Sequence, residues 1–192
     1  MFTTLPKVTP TPASQCASGN LPSIRSTTKK PQLVDYGADC DIPKLWRDKD
    51  VNGIPRSIAR ELTPGERAHV ERRRDELTIG CSPFTSFEED RVITALAEML
   101  GGFRAMQRHG DDAAVAGLEV LRRLVAEFPV WAIEEACQAI RRGTATIDGQ
   151  RLHPGYAPND CQVYAIIKEI LAPYEKLRAK AVALLIAPVQ EK

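Results

Sequence analysis

From Val92 to Leu185, apolar residues return every three or four positions in successive runs that proline, glycine and polar turns separate. The runs are Val92, Ile93, Leu96, Met99, Leu100 and Phe103; Leu118, Leu121, Leu124, Val125 and Phe128; Val130, Ile133, Ala136, Cys137 and Ile140; Val163, Ile166, Ile167 and Ile170; and Leu177, Ala181, Leu184 and Leu185. A period near 3.6 gathers each set on one face of a helix. Several one-faced helices bury those faces only by packing on one another. The expected fold class is therefore all-α, a small bundle of about five or six helices.

Terminal signals sharpen the boundaries. Thr63, Pro64 and Glu66 make a capping box with proline at the first helical position. The seam of that first helix is narrow, mainly Val70 and Leu77, so an exposed and partly packed helix is expected. A second capping box, Ser86 with Glu89, is predicted to start the next helix. The third helix starts at Asp111 or Asp112, and Pro129 both ends it and opens the fourth. Gly143 closes the fourth, after Arg141 and Arg142 at the negative end of its dipole. Asp148-Gly149 predicts a short hairpin over 144–153, with a plain loop as the alternative. Asn159 and Gln162 cap a fifth helix, which Pro173 is expected to kink or break before a final helix from Tyr174 to about Ala187.

The chain divides accordingly into a disordered tail over 1–31, an irregular arm over 32–62 and the helical bundle over 63–187. The tail is rich in Thr, Pro and Ser and lacks the apolar surface that would offset chain entropy. The arm holds Trp46, a turn signal at Asn52-Gly53 and an expected short helix near Pro55 to Arg60. Trp46 suggests that it folds back on the bundle.

The chemistry-bearing residues are sparse. The formal net charge of +1 argues against strong non-specific nucleic-acid binding and leaves room for a local basic patch. Five scattered cysteines with no Cys-x-x-Cys read as reduced thiols in a cytoplasmic protein. No window approaches the roughly 18 apolar residues of a membrane span, and Met1 to Cys16 does not read as a signal peptide. Neither His-Glu-x-x-His, a Walker loop, Gly-x-Ser-x-Gly nor Gly-x-Gly-x-x-Gly occurs. The nearest metal set, Cys137, His153 and Cys161, reads as small thiols and a surface histidine. No cofactor, metal or enzymatic activity is expected.

Two features stand out for binding. Arg141, Arg142 and Arg151 flank the predicted hairpin and would make a basic edge able to lean on phosphate or acidic groups. Trp131 and Tyr156 are candidate apolar anchors, although a tryptophan just inside a helix start more often packs in the core.

The order of elements also resembles a known class. The Phe128-Pro129 break, the run WAIEEACQAIRRG, the turn Tyr156-Ala157-Pro158 and the helix CQVYAIIKEI are similar to small helical proteins of phages and prophages that act in replication initiation. These include helicase loaders and helicase-loader inhibitors, in which an aromatic-Ala-Pro or aromatic-Pro-Pro turn joins two helices. The segments LTPGERAHVERRRDEL and APYEKLRAKAVALL also resemble uncharacterised prophage-type proteins of proteobacteria. The resemblance implies an adaptor that binds a protein partner, a replicative helicase, with DNA contact through the basic edge. A self-associating interaction protein, pairing through the final helix, is the alternative.

Overall fold

The computed structural model describes residues 29–33, 42–103, 111–153 and 155–190. Apart from 29–31, the expected tail lies outside these residues, as do 34–41 of the arm, Cys16, Cys40 and His109. Five helices dominate: α1 (Pro64–Gly80), α2 (Glu89–Gly101), α3 (Asp111–Leu124), α4 (Val130–Arg141) and α5 (Asp160–Ile186). Two small hairpins accompany them, β1 (Trp46–Lys49) with β2 (Pro55–Ile58), and β3 (Thr146–Ile147) with β4 (Gln150–Arg151). No helix among the described residues is long and apolar enough to cross a membrane.

The main core follows the periodic stripes. Val92, Leu96 and Met99 of α2, Ile133 and Ala136 of α4, and Val163 and Ile167 of α5 are fully buried in it. Phe128 reaches it from the turn after α3, since that helix ends at Leu124 and not at Pro129. Gly143 closes α4 with φ +62, the left-handed conformation a glycine takes without strain. The Asp148-Gly149 turn has φ of +51 and +75, and the hairpin pairs Thr146 with Arg151 and Ile147 with Gln150, as the sequence predicts.

The capping boxes are realised unevenly. Thr63 with Glu66 and Asn159 with Gln162 each exchange both bonds. Arg60 adds two hydrogen bonds to Glu66, and together with the Thr63 amide these hold that carboxyl down at about 2. The expected Ser86–Glu89 box does not form. The pairing sits one residue earlier, where the Thr85 N–H and hydroxyl both donate to the buried Glu88 carboxylate, at 3.0 and 3.1 Å. α2 therefore starts at Glu89, with Phe87 left 92% exposed in the preceding turn.

Pro173 neither breaks α5 nor begins a new helix. The helix runs unbroken for 27 residues. The proline lies on the exposed face, while its neighbours Leu171 and Tyr174 are anchored in the core. Packing on both sides of the missing N–H carries the helix through a position that would stop an isolated one.

The arm differs most from expectation. Pro55 to Ile58 is a strand and not a short helix. Asp50 accepts the Asn52 and Ile54 amides on its carboxylate, and Gly53 at φ +72 completes the turn from β1 to β2. The chain end then joins as a third, parallel rung: the Ile58 N–H donates to the Pro188 carbonyl, and the Gln190 N–H to the Ile58 carbonyl. Ile42, Leu45, Ile58 and Leu62 bury themselves against Val70 of α1 and Ala181 and Leu184 of α5. This second core explains why the narrow seam of α1 suffices. Its Val70 meets the arm, and its Leu77 enters the main core.

Two substitutions test this account. Leu184→Ala should cost about 2–5 kcal/mol in urea unfolding, because a fully enclosed leucine would leave a cavity beneath the hairpin. Pro173→Ala should stabilise the fold by about 1–3 kcal/mol, since it restores a helix amide without touching the core.

Candidate functional site

Two ion pairs tie α2 to α4. Arg91 reaches Glu134 through two nitrogens at 3.0 and 2.8 Å, and Arg141 reaches Glu98. Each pair lies seven residues beyond the other along both helices, so α2 and α4 run side by side in the same sense. Arg122 at the end of α3 pairs with Glu89 at the start of α2, which sets α3 in the opposite sense. The register matches the sequence: Arg91 and Glu98, like Glu134 and Arg141, are two turns apart on one face.

Between the two bridges lies an open groove of about 950 Å³. Asp90, Thr94, Gln138 and Arg142 stand along it, and Cys137 contributes to its floor. Most of its charge is spent internally. Lys30 pairs with Glu135, which adds a third bridge at one end. Asp90 and Arg142 have no ion-pair partner among the described residues, so the groove offers one free charge of each sign.

The five residues singled out from sequence do not share one surface. Trp131 is only 6% exposed. Its indole N–H donates to the Gly80 carbonyl at 2.6 Å, and its ring stands edge-on to Tyr174 at 4.9 Å. Arg141, Arg142 and Arg151 gather at the opposite end of α4, about 15 Å along the helix from Trp131. Arg151 donates to the carbonyl of Gly143. That contact places its charge at the negative end of the helix dipole. Arg142 has no side-chain hydrogen bond or ion pair among the described residues. Tyr156 is 74% exposed and rests on the His153 ring at 4.9 Å.

The two buried thiols, Cys81 and Cys137, are not poised for chemistry. Cys137 is pushed up to about 12, first by burial and then by the charge of Glu134. Burial also raises Cys81. A thiol so raised carries little thiolate near neutral pH. Cys161, the other member of the candidate metal set, is exposed on α5. No three His, Cys, Asp or Glu residues among the described ones are grouped to hold a metal ion.

Sequence reasoning missed the residues that shape the groove. Arg91, Glu98 and Glu134 were not singled out, yet the seven-residue spacing of opposite charges on each helix, Arg91 with Glu98 and Glu134 with Arg141, was a usable signal. Lys30 and Gly80 carried no such signal. Their relation to Trp131 links segments 50 or more residues apart. No protein family, no curated protein and no solved structure matches this chain.

The bridges are exposed and should be individually weak. A double-mutant cycle of Glu98→Gln and Arg141→Gln, read by thermal unfolding, should give a coupling of about 0.2–1 kcal/mol.

Proposed function

We propose that this protein is a non-enzymatic helical adaptor, acting in the cytoplasm, that seats a protein partner along the α2–α4 groove. The observation that carries this reading is the groove itself. It is open, bounded by two helices held in register by two ion pairs, and ends at Arg142, which has no ion-pair partner among the described residues. An acidic group on the partner would meet Arg142, and a basic one Asp90. The resemblance to phage and prophage replication proteins supplies the setting, DNA replication initiation, and a replicative helicase as the partner to look for first.

A protein is favoured over DNA by the fate of the arginines. Of the three on the basic edge, Arg141 is neutralised by Glu98 and Arg151 is turned to a carbonyl. Two arginines without an acidic partner among the described residues, one of them tied to a carbonyl, and a formal charge of +1 make a short phosphate track, which relies on several uncompensated charges. Self-association is the second reading. It rests on Val182 and Ile186, 42% and 77% exposed near the end of α5. Light scattering over a range of concentrations, with and without Ile186→Glu, tests it.

The adaptor reading is tested by capture of partners from a lysate of the source cells, with and without nuclease. Arg142→Ala, and Arg141→Ala with Arg142→Ala, should each lower recovery of the partner about ten-fold, or about 1.4 kcal/mol, with an unchanged circular dichroism spectrum. Recovery unaffected by both variants removes the groove end from the binding surface. Loss of all recovery after nuclease turns the reading towards nucleic acid.

A further inference from the structure

Residues 29–33 lie against the bundle, and the groove residues Glu135 and Trp131 account for only part of their contacts. The Lys30 ammonium lies 2.5 Å from a Glu135 oxygen, 5.5 Å from the centre of the Trp131 ring and 6.0 Å from that of Tyr174. Pro31 lies on Gly80, the last residue of α1. A Cβ at position 80 would stand 2.2 Å from Pro31 Cγ and 2.8 Å from its Cδ. Arg73 donates to the carbonyl of Gln32.

Gly80 is informative because its backbone does not need a glycine. The left-handed glycines among the described residues are Gly53, Gly143 and Gly149. Glycine also weakens a helix relative to alanine. What its missing side chain does provide is room for the proline ring. The remaining walls have an equally definite chemistry: one carboxylate and two aromatic rings around one ammonium.

We propose that Gly80, Trp131, Glu135 and Tyr174 form a recognition pocket for a lysine followed by a proline. The chain's own Lys30-Pro31 fills it, and a partner protein that presents a Lys-Pro peptide takes it by displacing this internal ligand. The existence of a partner rests on the adaptor reading; the pocket does not. Glu135 selects the cation, the rings of Trp131 and Tyr174 offer it their faces, and the Gly80 floor admits a flat ring that a branched side chain would not match. Proline arrives with φ already set and its predecessor extended, so little order is lost on docking.

Each contact of the internal segment is a surface contact of modest strength. Because the segment belongs to the same chain, its effective concentration is on the order of mM, which a free peptide must exceed. Lys30 also stands at one end of the α2–α4 groove. A partner chain entering there would run from the pocket straight into the groove.

The test uses the purified full chain and a fluorescein-labelled Lys-Lys-Pro-Gln-Leu peptide, read by fluorescence anisotropy. Lys30→Ala with Pro31→Ala empties the pocket and should bind the peptide about ten-fold more tightly than the unaltered protein does. Adding Gly80→Ala should abolish that binding while helix content stays the same or rises. Glu135→Gln should weaken it about ten-fold with no steric change. A peptide with alanine in place of both lysines should not bind. Equal affinity of the emptied and unaltered proteins overturns the proposal, as does binding that survives both Gly80→Ala and Glu135→Gln. Peptide binding and partner capture are independent readouts. Failure of the peptide with capture intact removes the pocket alone, whereas peptide binding with capture unaffected by the Arg142 variants removes the groove-end reading alone.

Discussion

The joint at Trp131 holds the molecule together. One side chain of α4 donates to the end of α1 and stacks edge-on against Tyr174 of α5. Three helices distant in sequence thereby meet at one aromatic pair. A tryptophan buried in a core usually finds an acceptor for its N–H. The Gly80 carbonyl, at the end of a helix where no intrahelical amide claims it, is such an acceptor. The direction of α4, and with it the groove it forms with α2, follows from that anchoring.

The groove and the arm then represent two ways of finishing a modest bundle. Between α2 and α4 the surface is kept open by charged residues spaced two turns apart, which pair across the gap. On the other side of α5 the surface is closed by residues 42–62, whose hairpin is pinned by the chain end and whose apolar side chains form a second core. The same helix α5 serves both cores. It does so by continuing through Pro173, so that Val163, Ile166 and Ile167 serve the first and Ala181 and Leu184 the second. A broken helix would have uncoupled them.

Much of this was legible in the residues. The stripes from Val92 to Ile170, the boxes at Thr63 and Asn159, Gly143 and the Asp148-Gly149 turn are local signals, and each produced the element it predicts, whereas the last stripe, Leu177 to Leu185, continues α5. The errors share a physical origin. Ser86 and Thr85 are both competent caps, and the choice between them lay in which glutamate became buried. Pro173 is a strong local stop that long-range packing overrides. Pro55 to Ile58 has no marked preference of its own and becomes a strand because the turn after β1 brings it antiparallel to Trp46–Lys49, with residues 188–190 adding a bridge at Ile58. Among the candidate binding residues, the arginines gather as their spacing implies, whereas Trp131 was ambiguous between core and surface until its partners were known.

The sequence by itself determined the helical class, most helix boundaries and the clustering of Arg141, Arg142 and Arg151 at one helix end, because these depend on interactions within a few residues. The tertiary structure decided which charges remain free, where Trp131 points, and that Lys30-Pro31 meets Gly80 and Glu135. Those outcomes depend on contacts between residues 43 to 105 positions apart, and such contacts exist only once the helices have packed.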